Sequence, residues 1–295
     1  MSRSDTLKYW LADRLIRTAI WLMLLMPFDR RRRVAGWLMT RVAAPLGGYR
    51  DRIRENLALI FPDLPEAEVD RLVRQVPENL GQSLIELYSA RDFIARIRNE
   101  PLTGDGVAAL EEAHRSGRPV MLVTGHIGNY DAIRAALILR GYRVGGLYRP
   151  MGNPFFNDHY VAAISSIGKP LFPRGRKGLA DMVRFLRGGG MLGVVLDQYM
   201  GDGAALTFMG REALTALSSA ELALRYDALV VPTYGIRRAD GGFDLIVEAP
   251  VPHSTAEAMT QALNDSLEAQ VMAHMDQWLW THRRWKAPRR KARQG

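Results

Sequence analysis

Residues 119–140 read "PVMLVTGHIGNYDAIRAALILR". The first seven residues form an apolar, β-rich run bounded by proline and glycine, the pattern of a strand buried on both faces. Gly125 permits a tight exit from that strand. Beyond it, "NYDAIRAALILR" has its apolar residues at helical spacing, so Asp131 falls near a helix N-terminus. A strand that turns directly into a helix is one unit of an α/β fold, and the grammar repeats downstream. Short β-rich runs at 142–150, 191–198, 228–238 and 243–250 alternate with helical stretches at 131–140, 153–167, 176–187 and 215–226. This predicts an α/β fold with a mainly parallel central sheet flanked by helices. A last helix is expected over roughly 255–280, before "QWLWTHRRWK".

The turn between strand and helix carries His126 five residues before Asp131. On one regular helix such a pair would lie about 140° apart, but across a strand–turn–helix junction the two side chains can converge. A carboxylate beside an imidazole fixes its tautomer and stabilises the imidazolium that forms when the ring takes a proton, which is what a general base needs. The spacing alone also suits a satisfied turn histidine and an acid drawn to a helix N-terminus. Both readings stand on the residues. Other chemistries have less support. The chain contains no G-x-S-x-G elbow, no P-loop lysine motif, no H-E-x-x-H and no calcium-loop pattern. "GDGVAA" at 104–109 lacks a preceding strand and reads as a helix start, and the other five histidines are scattered, which argues against a metal site.

There are no cysteines among the 295 residues, which excludes disulfides, cysteine-ligated metal and a cysteine nucleophile. The net charge of +9 sits at the ends: residues 1–60 hold 12 Lys or Arg against 5 acids, and residues 281–295 hold 7 basic residues and no acid. The middle is therefore net acidic. A nucleic-acid binder more often carries its basic stripe on the folded body. Basic ends beside apolar, tryptophan-rich segments suit an anionic membrane surface instead. The apolar stretch Ala19–Phe28 is about half the ~20 residues of a spanning helix. It is followed by four arginines rather than a cleavage site, so it reads as an anchor or interfacial helix and not as a signal peptide. Whether it spans or lies flat is open at this level. The organisation expected is an N-terminal membrane anchor or interfacial helix over 1–34 and a main domain over 35–280. Within that domain, 35–117 is helical and broken near Pro62 and Pro65, 118–252 is the α/β core, and 253–280 is the C-terminal helix. A basic tail occupies 281–295.

Seven stretches, in order, resemble one known family, the late acyltransferases of lipid A biosynthesis with their H-x4-D/E motif. They are "RENLALIFPDLPEAEVDRLV", "GHIGNYD", "LYRPMGNPFFND", "LFPRGRKGLADMVRFLRGGG", "GVVLDQYMGDGAALTFMGREA", "VVPTYGIRRADGGFDLIVEAP" and "WLWTHRRWK". The resemblance spans nearly the whole chain. It implies transfer of a lauroyl- or myristoyl-type chain from an acyl-carrier-protein thioester to a hydroxyl of a glycolipid, at the cytoplasmic face of the inner membrane. No resident cofactor is implied, since the thioester is a co-substrate. His126 would be the general base and Asp131 its orienting partner. Arg149, at a strand end on the same edge as His126, would grip a phosphate of the glycolipid or of the carrier's phosphopantetheine arm. Arg174, Arg176 and Lys177 stand just before a helix, where anions are favoured. Asp197 ends another strand, and either pairs with one of these arginines or is structural. Pro232 is conformational. Family members often have Glu where this chain has Asp131, which leaves the chemistry intact but admits other phospholipid or glycolipid acceptors, or acyl-CoA as donor. A catalytically silent scaffold and a nucleic-acid module are the competing classes.

Overall fold

The computed structural model describes residues 3–286. The chain opens with α1 (Arg3–Leu24), α2 (Phe28–Leu38), a π-helical turn at Met39–Ala43 and the short α3 (Ala44–Leu46). Then follow α4 (Tyr49–Ile60), α5 (Glu66–Leu87) and α6 (Ala90–Ile97). The break between α4 and α5 falls at Pro62 and Pro65, as the sequence predicts. The α/β body then runs β1 (Leu102–Thr103), α7 (Val107–Ser116), β2 (Val120–Thr124), α8 (Tyr130–Leu139), β3 (Val144–Tyr148), α9 (Pro154–Ile167), β4 (Leu171–Pro173), α10 (Arg176–Arg187) and β5 (Met191–Val195). A hairpin of β6 (Ala204–Phe208) and β7 (Arg211–Thr215) precedes α11 (Ser218–Tyr226), β8 (Leu229–Arg237), β9 (Phe243–Val247) and α12 (Ala256–Ala273).

Seven strands form one sheet in the order β1-β9-β8-β2-β5-β3-β4. Every neighbouring pair is parallel except β8–β9. The fold is therefore the expected mixed α/β architecture with a mostly parallel sheet between helices. β2 lies at its centre, and all five of its residues are buried. Its alternation divides the core: Val120 and Leu122 pack with α8 and α9, while Met121 and Val123 pack with α10, α11 and α12. A third cluster, built on Trp278, Trp280 and Phe208, joins α4 and α5 to the end of α12.

Two expectations change. The last helix ends at Ala273, not near 280. Beyond it a 3-10 turn at Met275–Gln277 leads to Trp278, whose backbone forms a β-bridge with Ile127, and the rings of Trp278 and Trp280 are buried. Nor is the start of the expected basic tail a free end. Arg284 is wholly buried, donating to Leu214 O and Thr215 Oγ1, and burial pulls its pKa down to about 10. Residues 287–295, with the rest of that tail, lie outside the described part. The β6–β7 hairpin, absent from the sequence reading, comes from a stretch whose turn at Met209 and Gly210 has positive φ at both residues.

At the N-terminus, α1 is a helix that, among its residues of described burial, turns only Asp13 and Ile20 fully inward and leaves Trp10, Leu15 and Trp21 exposed. Among the described residues, no helix is long and apolar enough to cross a membrane.

The helical layer is locked to the sheet by a buried ionic cluster. Glu86 of α5, fully buried, is paired with Arg32 of α2 at 2.8 Å and with both terminal nitrogens of Arg237 on β8. The same carboxylate accepts from Asn129 Nδ2 at 2.8 Å, so the cluster reaches the turn that follows β2. Arg32 also pairs with the more exposed Asp29 at 3.2 Å, but Glu86 is the carboxylate that Arg32 and Arg237 share, and removing its charge leaves buried charge uncompensated. Glu86→Gln is therefore expected to lower unfolding stability by about 3–5 kcal/mol in chemical denaturation. A loss below ~1 kcal/mol would show that the arginines find other partners.

Candidate active site

The parallel pairing of β2 with β5 sets Thr124 opposite Val195, and Leu196 N donates to Thr124 O at 3.0 Å. His126 and Asp197, each two residues beyond that pair, emerge side by side. Their contact is double. His126 N donates to Asp197 Oδ2 at 2.7 Å, and His126 Nδ1 lies 2.7 Å from Asp197 Oδ1. Trp278 Nε1 adds a third bond to Oδ2 at 2.9 Å. Asp197 is only 3% exposed, while the His126 side chain keeps 22% of its surface open.

The electrostatics follow from that geometry. Burial opposes charge on the Asp197 carboxyl, yet the charge of His126 and the hydrogen bonds from its ring, its backbone and Trp278 hold the pKa down at about 2. On His126, burial favours the neutral ring, but the adjacent carboxylate wins and raises the pKa above 6.5. An ionised carboxylate can only accept, so the neutral imidazole carries its proton on Nδ1 and keeps the Nε2 lone pair free. That is a base with its tautomer fixed.

Asp131 is not the partner of His126. It sits in the first turn of α8, where Asn129 caps the helix by accepting from Asp131 N at 3.0 Å. Its Oδ1 accepts from Arg134 Nε at 2.7 Å, one turn along the same helix. The remaining arms of that guanidinium donate to Gly168 O at 3.0 Å and Ile164 O at 3.1 Å, the C-terminal carbonyls of α9. The expected His126–Asp131 hydrogen bond gives way to two others because the imidazole Nδ1 faces the end of β5, while a buried arginine claims the Asp131 carboxylate. Asp197, expected beside an arginine or as a structural group, instead holds the histidine.

The turn itself is gripped from several sides. Gly128 N donates to Gln277 O at 3.1 Å, Asn129 N to Gly235 O at 2.8 Å, and Ser83 Oγ to Gly128 O at 3.0 Å. Gly128 has φ +55°, and a Cβ there would come within 2.1 Å of Gly235 O, so no other residue fits.

Two cavities meet at this histidine. One, of about 230 Å3, lies between α5 and the 277–279 segment and is bordered by Val76, Leu80, Leu84 and Trp278. The other, of about 350 Å3, lies between the sheet and helices α8 and α9 and is bordered by Leu122, Ile133, Val144 and Ile164. His126, Tyr130, Asp131 and Tyr160 border both. The Tyr130 ring stands edge-on to the imidazole at 5.6 Å, and burial raises its phenol pKa. The arrangement sets an imidazole between two chambers, the smaller mainly apolar and the larger with both apolar and polar walls. It suits removal of a proton from a hydroxyl at the junction of two lipidic groups.

Of the expected anion-binding residues, Arg149 is exposed and borders the larger cavity. Arg174 N donates to Tyr148 O at 2.8 Å, continuing the β3–β4 ladder, so Arg174 stands next to Arg149 at the sheet edge. Arg176 and Lys177 are exposed in the first turn of α10, outside the lining of both cavities. Sequence reasoning missed Trp278, Arg134, Tyr130 and Tyr160. For the first, the tryptophan-rich "QWLW" was the signal, but nothing local says where its ring points.

Because the His126 pKa is raised, the pair's stabilisation through His126 is complete below pH 6.5 and fades as pH rises through the folded value. Because that of Asp197 is depressed, its contribution is complete above pH 3.8 and fades as pH falls through about 2. Titration of the His126 ring by NMR should give a midpoint above 6.5, and Asp197→Asn should move it below 6.5, since burial then acts alone. Asp131→Asn should leave it in place. The reverse ranking of the two variants would return Asp131 to the role of orienting residue.

Comparison with known proteins agrees with the geometry. The bacterial lipid A biosynthesis acyltransferase family matches residues 2–287. A lipid A biosynthesis acyltransferase of Haemophilus influenzae is 27% identical over 294 residues, covering 95% of this chain and 91% of that protein. The lipid A biosynthesis lauroyltransferase of Escherichia coli is 25% identical over 287 residues, covering 95% and 92%. The palmitoleoyltransferase of the same organism is 26% identical over 282 residues, covering 90% and 88%. A match over nearly the whole chain makes this protein an acyltransferase of the bacterial lipid A biosynthesis acyltransferase family.

Proposed function

We propose that the protein transfers a fatty acyl chain from an acyl-carrier-protein thioester to a hydroxyl of a lipid A precursor, with His126 as general base. The observation that carries this reading is the imidazole fixed by Asp197 where two cavities meet. The acceptor hydroxyl gives its proton to His126 Nε2 while its oxygen attacks the thioester carbonyl carbon. The tetrahedral adduct collapses, the C–S bond breaks, and the leaving thiolate takes the proton back from the imidazolium. Asp197 stabilises that imidazolium through Nδ1 and remains ionised throughout, consistent with its depressed pKa. No acyl-enzyme is needed, which suits a chain without cysteine or a serine elbow.

In this reading Asp131 acts through Arg134, whose fork seats the C-terminal end of α9 and with it Tyr160 and Ile164 over the site. Arg149 at the border of the larger cavity, with Arg174 next along the β3–β4 ladder, holds a phosphate of the donor's phosphopantetheine arm or of the glycolipid. Arg176 and Lys177 extend that positive edge toward the acidic carrier protein.

The enzyme works at the cytoplasmic face of the inner membrane. The exposed Leu7, Trp10, Leu11 and Leu15 of α1, together with Trp37 and Leu46, support a helix layer lying in the bilayer interface, with Arg14 and Arg17 toward anionic headgroups.

The test is acyl transfer in detergent, using lauroyl- or myristoyl-carrier protein with a tetraacylated, Kdo-bearing lipid A precursor. A parallel arm offers acyl-CoA with lysophospholipids. His126→Ala should lower kcat by roughly 10²–10⁴-fold in the first arm. Activity confined to the second arm would keep the base and discard lipid A as acceptor, and a variant equal to wild type would remove His126 from the chemistry. The kcat–pH profile offers a second check. Activity should rise with pH through the raised pKa of His126, and Asp197→Asn should shift that limb to lower pH while lowering kcat.

A further inference from the structure

The larger cavity lies on the sheet face that β2, β5 and β3 turn toward α8 and α9. Protein interiors are close-packed, with few voids larger than a water molecule, so about 350 Å3 against a sheet needs a local cause. A pair of absent side chains contributes to it. Gly146 of β3 and Gly193 of β5 are register partners, and both border the cavity. Gly193 also pairs with Leu122 of β2, and Gly146 with Leu171 of β4, so the two form the middle of one row across four strands.

Glycine inside a strand weakens it, and it persists where a bend, a tight contact or an approaching ligand requires it. Neighbouring glycines have steric reasons. A Cβ on Gly145 would come within 2.9 Å of Phe172, and one on Gly190 within 2.4 Å of Phe185. Gly193 has none, and Gly146 has only a tight contact with the flexible end of Leu171. Neither has a positive φ. A Cβ on Gly193 would meet nothing nearer than Gly145 O at 3.6 Å, and one on Gly146 only the tip of Leu171 at 3.3 Å. What glycine preserves at these positions is the space itself.

We propose that the Gly146–Gly193 pair sets the length of the acyl chain that the enzyme transfers, by leaving open the floor of the cavity that receives it. The inference rests on His126 as the acyl-transfer site. The occupant is the donor's chain: the cavity runs from His126 into apolar walls of Ile133, Val144 and Ile164, and Arg149 at its border suits the phosphate of a thioester carrier. Branched side chains at Gly193 or Gly146 would project into this space and shorten it, with little strain elsewhere.

The experiment compares wild type, Gly193→Val and Gly146→Val on carrier-protein donors of 8 to 16 carbons, reading kcat/KM for each length. Gly193→Ala is the milder variant should either valine fail to fold. In parallel, thermal shift with free fatty acids of the same lengths reads the cavity without any transfer. The expected result is an optimum at least two carbons shorter in the variants. Discrimination against the wild-type optimum should be at least about tenfold, the size a misfitting methylene carries in an apolar pocket. The shortest donor should stay within about threefold of wild type, and fatty-acid stabilisation should shift in parallel. A uniform loss over all lengths, or an unchanged profile, overturns the assignment. If wild type uses no donor, the acyl-transfer reading falls by itself, and the fatty-acid series still decides the cavity. Stabilisation of wild type by no fatty acid, or equal stabilisation of wild type and variants, sinks the proposal.

Discussion

A buried, ionised carboxylate constrains the rest of this structure. Asp197 is almost wholly removed from water, and an unpaired charge in such a place would be neutralised or would unfold its surroundings. It stays charged because three donors converge on it: the ring and backbone of His126, and the indole of Trp278. Each donor fixes a different part of the chain. The histidine ties the end of β2 to the end of β5, and the tryptophan draws the segment after α12 back over the turn. The early end of α12 and the burial of residues that look like a charged tail follow from that demand.

A second layer of the same logic holds the turn and the helices around it. Glu86 is shared among Arg32, Arg237 and Asn129, so the N-terminal helices, the sheet and the helix cap of α8 meet on one carboxylate. Asp131 is likewise spoken for by Arg134, which closes the carbonyls at the end of α9. Three buried acids thus divide the labour. Glu86 joins the layers, Asp131 seats a roof helix, and Asp197 alone touches the imidazole. That separation lets the imidazole be tuned by one group while the chambers beside it are shaped by others.

Much of the fold was legible in the sequence because strand and helix are periodic. The all-apolar run of β2, the helical spacing of α8, and the break at Pro62 and Pro65 all appear where their patterns place them. The β6–β7 hairpin was not, since its turn uses Met209 and Gly210 rather than a familiar turn pair. The site was half legible. His126 stands out as a histidine in a glycine-flanked turn after a buried strand, and Arg149 falls at a strand end, whereas β4, which sets Arg174 beside Arg149, was not read from the sequence. The partner of His126 was misassigned, because a carboxylate five residues away in sequence is a more visible candidate than one seventy-one residues away.

The sequence by itself determined the α/β class, the membership of a family through motifs along its length, the absence of thiol chemistry, and the histidine at the centre of the site. All of these are properties of local pattern or composition. Only the tertiary structure decided which acid orients the imidazole, that two cavities meet there, and that Gly146 faces Gly193 across one of them. The physical reason is strand order. β2 and β5 are separated in the chain by three helices and two strands, and nothing in either segment records that they become neighbours. Their adjacency is set by how whole faces of helix and sheet pack, and the chemistry at their ends follows from it.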